Sequence, residues 1–210
     1  MGTEVNYKTE QESFWAGTFG DQYIERNQGK DLLASNIALF ARVFARTGPL
    51  RSVVELGANI GMNLRAIREL MPDIKVEAVE INRKAAQQLD VLKFVKVHHE
   101  SLLNFKTDQP ADLSFTKGVL IHINPSELDL AYKSLYGASS RYILLCEYYS
   151  TEPVEMTYRG YSDRLFKRDF AGEMLDKFPD LRLLDYGFIW NRETFAQEDC
   201  NWFLLQKSSS

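Results

Sequence analysis

Val53-Val-Glu-Leu-Gly-Ala-Asn-Ile-Gly61 is the stretch on which the reading of this chain turns. Val53 and Val54 are β-branched and stand just before a turn-forming cluster, as at the end of a buried strand. Gly57 and Gly61 open a segment, Met62 to Met71, with Leu64, Ile67, Leu70 and Met71 at helical spacing. A strand that runs through a glycine turn into a helix brings backbone N–H groups close to whatever lies above the strand end. Such a turn suits a nucleotide-like ligand. A nicotinamide dinucleotide is disfavoured, because its site needs G-x-G-x-x-G and this chain has Asn59 and Met62 at the second and third glycine positions.

An acidic residue, Glu55, lies two positions before Gly57, and a second, Glu80, ends the next strand-like run, Val76 to Ile81. The spacing is about the twenty residues expected of a carboxylate that accepts hydrogen bonds from both ribose hydroxyls. Together these residues resemble the first motif of class I S-adenosylmethionine-dependent methyltransferases, an acidic-x-Gly-x-Gly-x-Gly loop. Asn59 stands for the middle glycine, and Asn is one of the few side chains that tolerates a left-handed backbone. The resemblance implies a Rossmann-like fold with S-adenosylmethionine as cofactor and S-adenosylhomocysteine as its product. It also implies that Glu55, Gly57, Ala58, Asn59, Gly61, Glu80 and Ile81 form the cofactor site.

At 210 residues, 45% of them hydrophobic, the chain can bury a sizeable core as one domain. We expect an N-terminal helical cap or lid over residues 1–48 and a methyltransferase domain over 49–210. The net charge of −4 argues against a nucleic-acid surface. Cys146 and Cys200 lie in apolar runs and read as buried hydrophobes rather than a disulfide framework, which suits a reducing cytoplasm. The polar, acidic start does not read as a secretory signal, Asn6 breaks the myristoylation pattern, and no apolar run approaches a membrane span. A soluble, cytoplasmic protein is expected; the sequence leaves its oligomeric state open.

Phe14, Trp15, Phe19, Tyr23 and Arg26 suggest one or two short helices broken at Gly17 and Gly20. Asp31 starts a longer helix that stops at Gly48-Pro49. Strands are then expected at Ser52–Leu56, Lys75–Ile81, Phe94–His98, Ala111–Thr116 and Tyr142–Tyr148. Helices fall at Met62–Met71, Arg83–Leu89 and Pro125–Tyr136. An insertion, Thr151–Arg164, precedes a helix over Leu165–Phe178, and Leu181–Ile189 with Trp202–Gln206 closes the chain as a hairpin. This alternation is an α/β pattern: a mostly parallel sheet with one antiparallel strand from the C-terminal hairpin and with N-terminal helices.

Ligands of open α/β sheets gather beyond the carboxyl ends of the strands, so the residues just after each strand are the candidates. Glu100 and Ser101 follow the third strand, and in the resembled enzymes a polar residue here touches adenine. Lys117 and Gly118 follow the fourth, with His122 close behind. Imidazole has a pKa near neutrality and so can accept a proton from an acceptor hydroxyl, which makes His122 the candidate base. The alternative for His122 is a core histidine bonded to backbone. His98 and His99 point to opposite faces of a strand and cannot easily share one ion, so no metal site is expected. After the fifth strand, Tyr148, Tyr149, Tyr158, Arg159 and Arg164 are candidates for an acceptor pocket, where arginine forks would pair with a carboxylate or phosphate.

Three stretches, Ser13–Asn27, Glu55–Gly61 and Tyr158–Ala171, resemble one bacterial family, the methylases associated with pseudaminic acid biosynthesis. That resemblance spans nearly the whole chain. It implies methyl transfer to a small, anionic acceptor, a sugar or nucleotide-sugar of surface-glycan biosynthesis; the charge balance and the lack of an apolar span add the expectation of no nucleic-acid or membrane partner. Trp15, Tyr23 and Arg26 then close over the cofactor, with Trp15 or Tyr23 against the sulfonium as a cation–π partner. Two other readings stay open: a methyltransferase acting on a protein or other macromolecule, and a non-catalytic cofactor-binding scaffold.

Overall fold

A computed structural model describes residues 7–26 and 29–208, with the side chain of Arg26 outside the description. Helix α1 (Glu10–Ala16) starts at a capping box: Thr9 Oγ1 accepts from the Glu12 N–H, while the Glu12 carboxylate accepts from the Thr9 N–H. It ends at Gly17, and α2 (Thr18–Arg26) follows at once. Of the two expected breaks, only Gly17 is one. Gly20 lies inside α2, where a Cβ would come within 1.9 Å of the Trp15 carbonyl oxygen, so this glycine permits close packing of α2 on α1. Helix α3 (Lys30–Thr47) lies on the sheet.

The central sheet is built from β1 (Ser52–Leu56), β2 (Lys75–Val79), β3 (Val95–His98), β4 (Ala111–Lys117), β5 (Ser139–Glu147), β8 (Leu181–Ile189) and β9 (Cys200–Lys207). Their order is β3-β2-β1-β4-β5-β9-β8. Strands β1 to β5 pair in parallel, and β9 runs antiparallel between β5 and β8. This is the expected sheet. The strand order reverses between β1 and β4, which makes the gap at their carboxyl ends the ligand position of such folds.

Helices α4 (Met62–Leu70), α5 (Arg83–Asp90) and α6 (Leu128–Ala138) are the crossover helices, and α7 (Phe170–Lys177) precedes the terminal hairpin. One core layer joins α3 and α4 to the sheet, with the Phe40 ring edge-on to Phe115 of β4 at 5.4 Å. The other joins α6 and α7 to the opposite face through Leu135, Ile143, Leu145 and Met174. Cys146 and Cys200 are free and buried on neighbouring strands, with their sulfurs 3.5 Å apart. No described helix is long and apolar enough to cross a membrane.

The segment after β5 departs from expectation. Residues 154–167 form a hairpin, β6 (Val154–Tyr158) and β7 (Tyr161–Lys167), and the helix expected from Leu165 begins only at Phe170. Arg159 and Gly160 both have positive φ, 50° and 87°, so Tyr158 and Tyr161 face each other across a two-residue hairpin turn. The helix is started by Asp169, whose carboxylate accepts from the Gly172 N–H at 2.8 Å. Similarly, Pro125 begins a short 3-10 turn, Pro125–Glu127, and α6 starts after it.

Candidate active site

The glycine turn is fixed from below. Gly57 and Ala58 donate their N–H groups to the Val79 carbonyl at 2.8 and 3.1 Å, which ties the end of β1 to the end of β2. Asn59 takes the left-handed conformation, φ 48°, and donates its N–H to the Glu80 carboxylate at 2.6 Å. The other Glu80 oxygen accepts from the Asn82 N–H at 2.7 Å. Glu80 therefore shapes the turn while each oxygen keeps a further lone pair for a ligand. Burial pushes its carboxyl above the usual range, against the lowering effect of those backbone N–H groups.

Above this turn is a cavity of about 190 Å³, against about 10 Å³ for the next depression described, so it is the candidate site. Gly57, Ala58, Asn59, Glu80, Ile81, Glu100, Ser101, Lys117, Gly118 and His122 all line it. So do Trp15 and Tyr23, brought over from α1 and α2, with their rings 5.1 Å apart and edge to face. Asn82 reaches both helices: its Nδ2 donates to the Trp15 carbonyl at 3.2 Å and to Asp21 Oδ1 at 3.0 Å, and Lys84 pairs with Asp21 at 2.6 Å. Of residues 1–48, then, α1 and α2 roof the cavity while α3 belongs to the core layer.

Two expected cofactor residues support the site without lining it. Glu55 is fully buried, and burial pushes its carboxyl up to about 8 even though Asn63 Nδ2 donates to it at 2.6 Å. Gly61 opens α4 with φ 79° and packs against Leu89. Arg26 was expected here too, and its side chain lies outside the described residues.

His122 is buried and bonded to backbone, and it also lies on the cavity wall. Its Nδ1 donates to the Arg164 carbonyl at 2.6 Å, which leaves the lone pair on Nε2. The ring is flanked by Trp15 at 4.6 Å and Tyr158 at 4.9 Å, and it lines the cavity. Burial holds its pKa down at about 4, so the imidazole is neutral at pH 7. The loop that carries it is held by Glu147, which accepts from the N–H groups of Val119 and Ile121 at 3.0 and 3.4 Å; burial pushes this carboxyl up to about 7.

The residues expected to meet an acceptor are mostly elsewhere. Tyr158 stands behind His122 and Trp15 rather than on the cavity wall. Arg164 directs its guanidinium to Glu10 at 3.1 Å and over the Phe14 ring, and only its carbonyl serves the site. Arg159 is exposed at the hairpin turn, Tyr148 donates its hydroxyl to Glu198, and Tyr149 is exposed beside Phe203. For Tyr158, Arg159 and Arg164 the hairpin is the cause, since they lie on its strands and tight turn rather than at the strand ends of the central sheet.

In their place the cavity receives residues that the sequence did not single out. Glu12 accepts from the Ser101 hydroxyl. Gln11 accepts from Asn124 Nδ2 at 3.2 Å and donates to the Asp163 carbonyl at 2.9 Å, joining α1 to the His122 loop and to β7. Asn36, on α3, also lines the wall. The only early signal for Glu12 was its place three residues after Thr9, which predicts a cap and not a site. Among the described lining residues the charged ones are Glu12, Glu80, Glu100 and Lys117.

No protein-family model and no curated protein matches this chain. Solved structures do match in fold. The 1,6-didemethyltoxoflavin-N1-methyltransferase of Burkholderia thailandensis, with bound 1,6-didemethyltoxoflavin and S-adenosylhomocysteine, superposes with a TM-score of 0.70 at 12% identity, over 99% of this chain and 94% of that one. Magnesium protoporphyrin IX methyltransferase from Synechocystis, with bound S-adenosylhomocysteine, gives 0.68 at 14% identity, over 95% and 100%. The N-methyltransferase NodS from Bradyrhizobium japonicum gives 0.62 at 13% identity, over 90% and 99%. The chain has the class I methyltransferase fold.

Proposed function

We propose that this protein is an S-adenosylmethionine-dependent methyltransferase acting on a small molecule. The observation that supports this most is the Glu80 carboxylate at the end of β2, hydrogen-bonded to the left-handed Asn59 of the glycine turn and open to the cavity. The residues fit the cofactor. Gly118 has φ 66° and no atom within 4 Å of where a Cβ would stand, so a ligand can come close to its backbone. Adenine would lie toward Glu100 and Ser101, ribose on Glu80, and the remaining part toward Gly57 and Lys117. The methyltransferases of the same fold with bound S-adenosylhomocysteine lend this reading their weight.

When bound, S-adenosylmethionine supplies an electrophilic methyl group on a sulfonium. The chain's own work is to hold two reactants in line and exclude water, and most of the rate comes from that positioning. Trp15 and Tyr23 give the roof aromatic faces suited to a cation. His122 Nε2 accepts a hydrogen bond from an acceptor hydroxyl and orients its oxygen lone pair toward the methyl group; with its pKa held at about 4 its contribution is this orientation, and the hydroxyl proton leaves to solvent after transfer.

A sugar or nucleotide-sugar of surface-glycan biosynthesis, in the cytoplasm, is the acceptor class to test first. The lining favours its hydroxyl groups over an anionic group, because Lys117 is the one cation among the described lining residues, against three carboxylates. Calorimetric titration with S-adenosylmethionine and S-adenosylhomocysteine, with NAD as control, tests the cofactor. Micromolar binding of the first two alone is expected, and no binding by folded protein overturns the proposal. A panel of neutral and anionic sugars and nucleotide-sugars, followed by mass spectrometry for a gain of one methyl group, then tests the acceptor.

A further inference from the structure

Asn36 is 1% exposed, on the cavity wall, and neither its Nδ2 nor its Oδ1 has a hydrogen-bond partner among the described residues. A buried amide without partners is costly, and native proteins keep such groups where a ligand or ordered water completes them. Its position in the fold says which part of a ligand it meets. Phe40, one turn further along α3, packs on Phe115 of β4, and Lys117 ends β4 two residues later. Leu32, one turn before Asn36, lines the cavity as well. Helix α3 therefore rises past β4 toward the strand ends and delivers Asn36 on the β1–β4 side.

Glu100 and Ser101 follow β3, three strand positions away in the order β3-β2-β1-β4. At about 4.8 Å per strand, the cavity spans roughly 14 Å between these ends. A nucleoside with its base at β3 and its ribose on Glu80 at β2 puts its 5′ substituent near β1 and β4. Asn63, at the start of α4 which packs along α3, also lines the wall, and its Oδ1 too has no partner among the described residues. Two carbonyl acceptors and one NH₂ donor pair are thus left at this end. An α-amino acid terminus is their complement, with an ammonium to donate and a carboxylate to accept.

We infer that Asn36 is a ligand-binding residue that holds the amino-acid end of the cofactor, with Asn63 beside it. This rests on the cofactor reading above, and two ligands separate them. S-adenosylhomocysteine carries the amino acid, whereas 5′-methylthioadenosine keeps adenine, ribose and thioether without it. Both are titrated into wild type, Asn36→Leu and Asn36→Asp, each checked for folding by thermal melting. Asn36→Leu is expected to melt no lower than wild type, to bind S-adenosylhomocysteine at least tenfold more weakly and to bind 5′-methylthioadenosine within twofold of wild type. Asn36→Asp, nearly the same size, is expected to show the same selective loss by repelling the ligand carboxylate. Equal losses for both ligands, or unchanged affinity with a lowered melting temperature, overturn the assignment and leave Asn36 a structural residue. Wild type that binds neither ligand instead removes the cofactor reading.

Discussion

His122 donates Nδ1–H to the Arg164 carbonyl at 2.6 Å, so a strand that follows the parallel core fixes the tautomer of an imidazole that precedes it by about forty residues. The bond orients Nε2, and burial keeps the ring neutral, with its pKa held at about 4. An unfolded chain binds this proton from its ordinary value of 6.5 downward and the folded one only near 4. Stability is therefore lost as pH falls from 6.5 to 4, with a slope of up to about 1.4 kcal/mol per pH unit from this group. His122→Phe keeps a ring between Trp15 and Tyr158, and its melting temperature is expected to vary less over that interval. Its methyl transfer is expected to slow at least tenfold with cofactor affinity nearly intact; normal turnover would make His122 structural.

Glu55 gives the opposite sign. Its carboxyl is pushed up to about 8 by burial, so between 4.5 and 8 the folded chain holds a proton that the unfolded chain has lost. Stability from this group is present below pH 4.5 and declines as pH rises to 8. Glu55→Gln keeps the shape without the titration. Denaturant unfolding of this variant at pH 5 and pH 8 is expected to give a smaller difference than wild type.

Glu80 accepts from the backbone N–H groups of Asn59, in the glycine turn, and of Asn82, at the start of α5, and faces the cavity. Its replacement by alanine is expected to weaken S-adenosylhomocysteine binding by about 1–3 kcal/mol, through lost charge-assisted hydrogen bonds. Calorimetry checks this, and unchanged affinity would remove Glu80 from the site.

Gly57 combines two constraints. It has φ 84°, and an added Cβ would lie 2.7 and 2.8 Å from the Val119 methyl carbons. Gly118, at φ 66°, meets nothing within 4 Å. Gly118→Ala is expected to cost about 1 kcal/mol from the backbone alone, and Gly57→Ala clearly more. Val119→Ala added to Gly57→Ala should recover part of the difference, as measured by chemical denaturation.

Asn82 plays two roles with different atoms. Its Oδ1 caps α5 by accepting from the Ala85 N–H at 3.0 Å, while its Nδ2 holds α1 and α2. Asn82→Asp retains the cap and sets a carboxylate against Asp21 and a carbonyl. Hydrogen exchange is expected to rise at least tenfold over residues 10–26 and to stay unchanged over α5. Equal exchange in both would show that the roof is held elsewhere.

The sheet and the glycine turn with its two carboxylates were legible in the sequence, because both rest on local chemistry. β-Branched runs end in a glycine turn, Glu55 and Glu80 stand at fixed spacing from it, and helical periodicity marks the crossovers. Its limits appear where distant segments meet. The residues 154–167 read as a loop and the start of a helix because an Arg-Gly pair commits to a hairpin turn only with tertiary support, and β6 buries almost nothing. That hairpin turned Arg159 and Arg164 away from the cavity and gave His122 its carbonyl partner. Glu12, Gln11 and Asn36 joined the wall for the same kind of reason. Each sits on a helix whose periodicity predicts a packed face, but which part of that face meets the strand ends depends on how the helix crosses the sheet. Local pattern fixed the elements. The packing of α1, α2, α3 and the β6–β7 hairpin decided which side chains the cavity received.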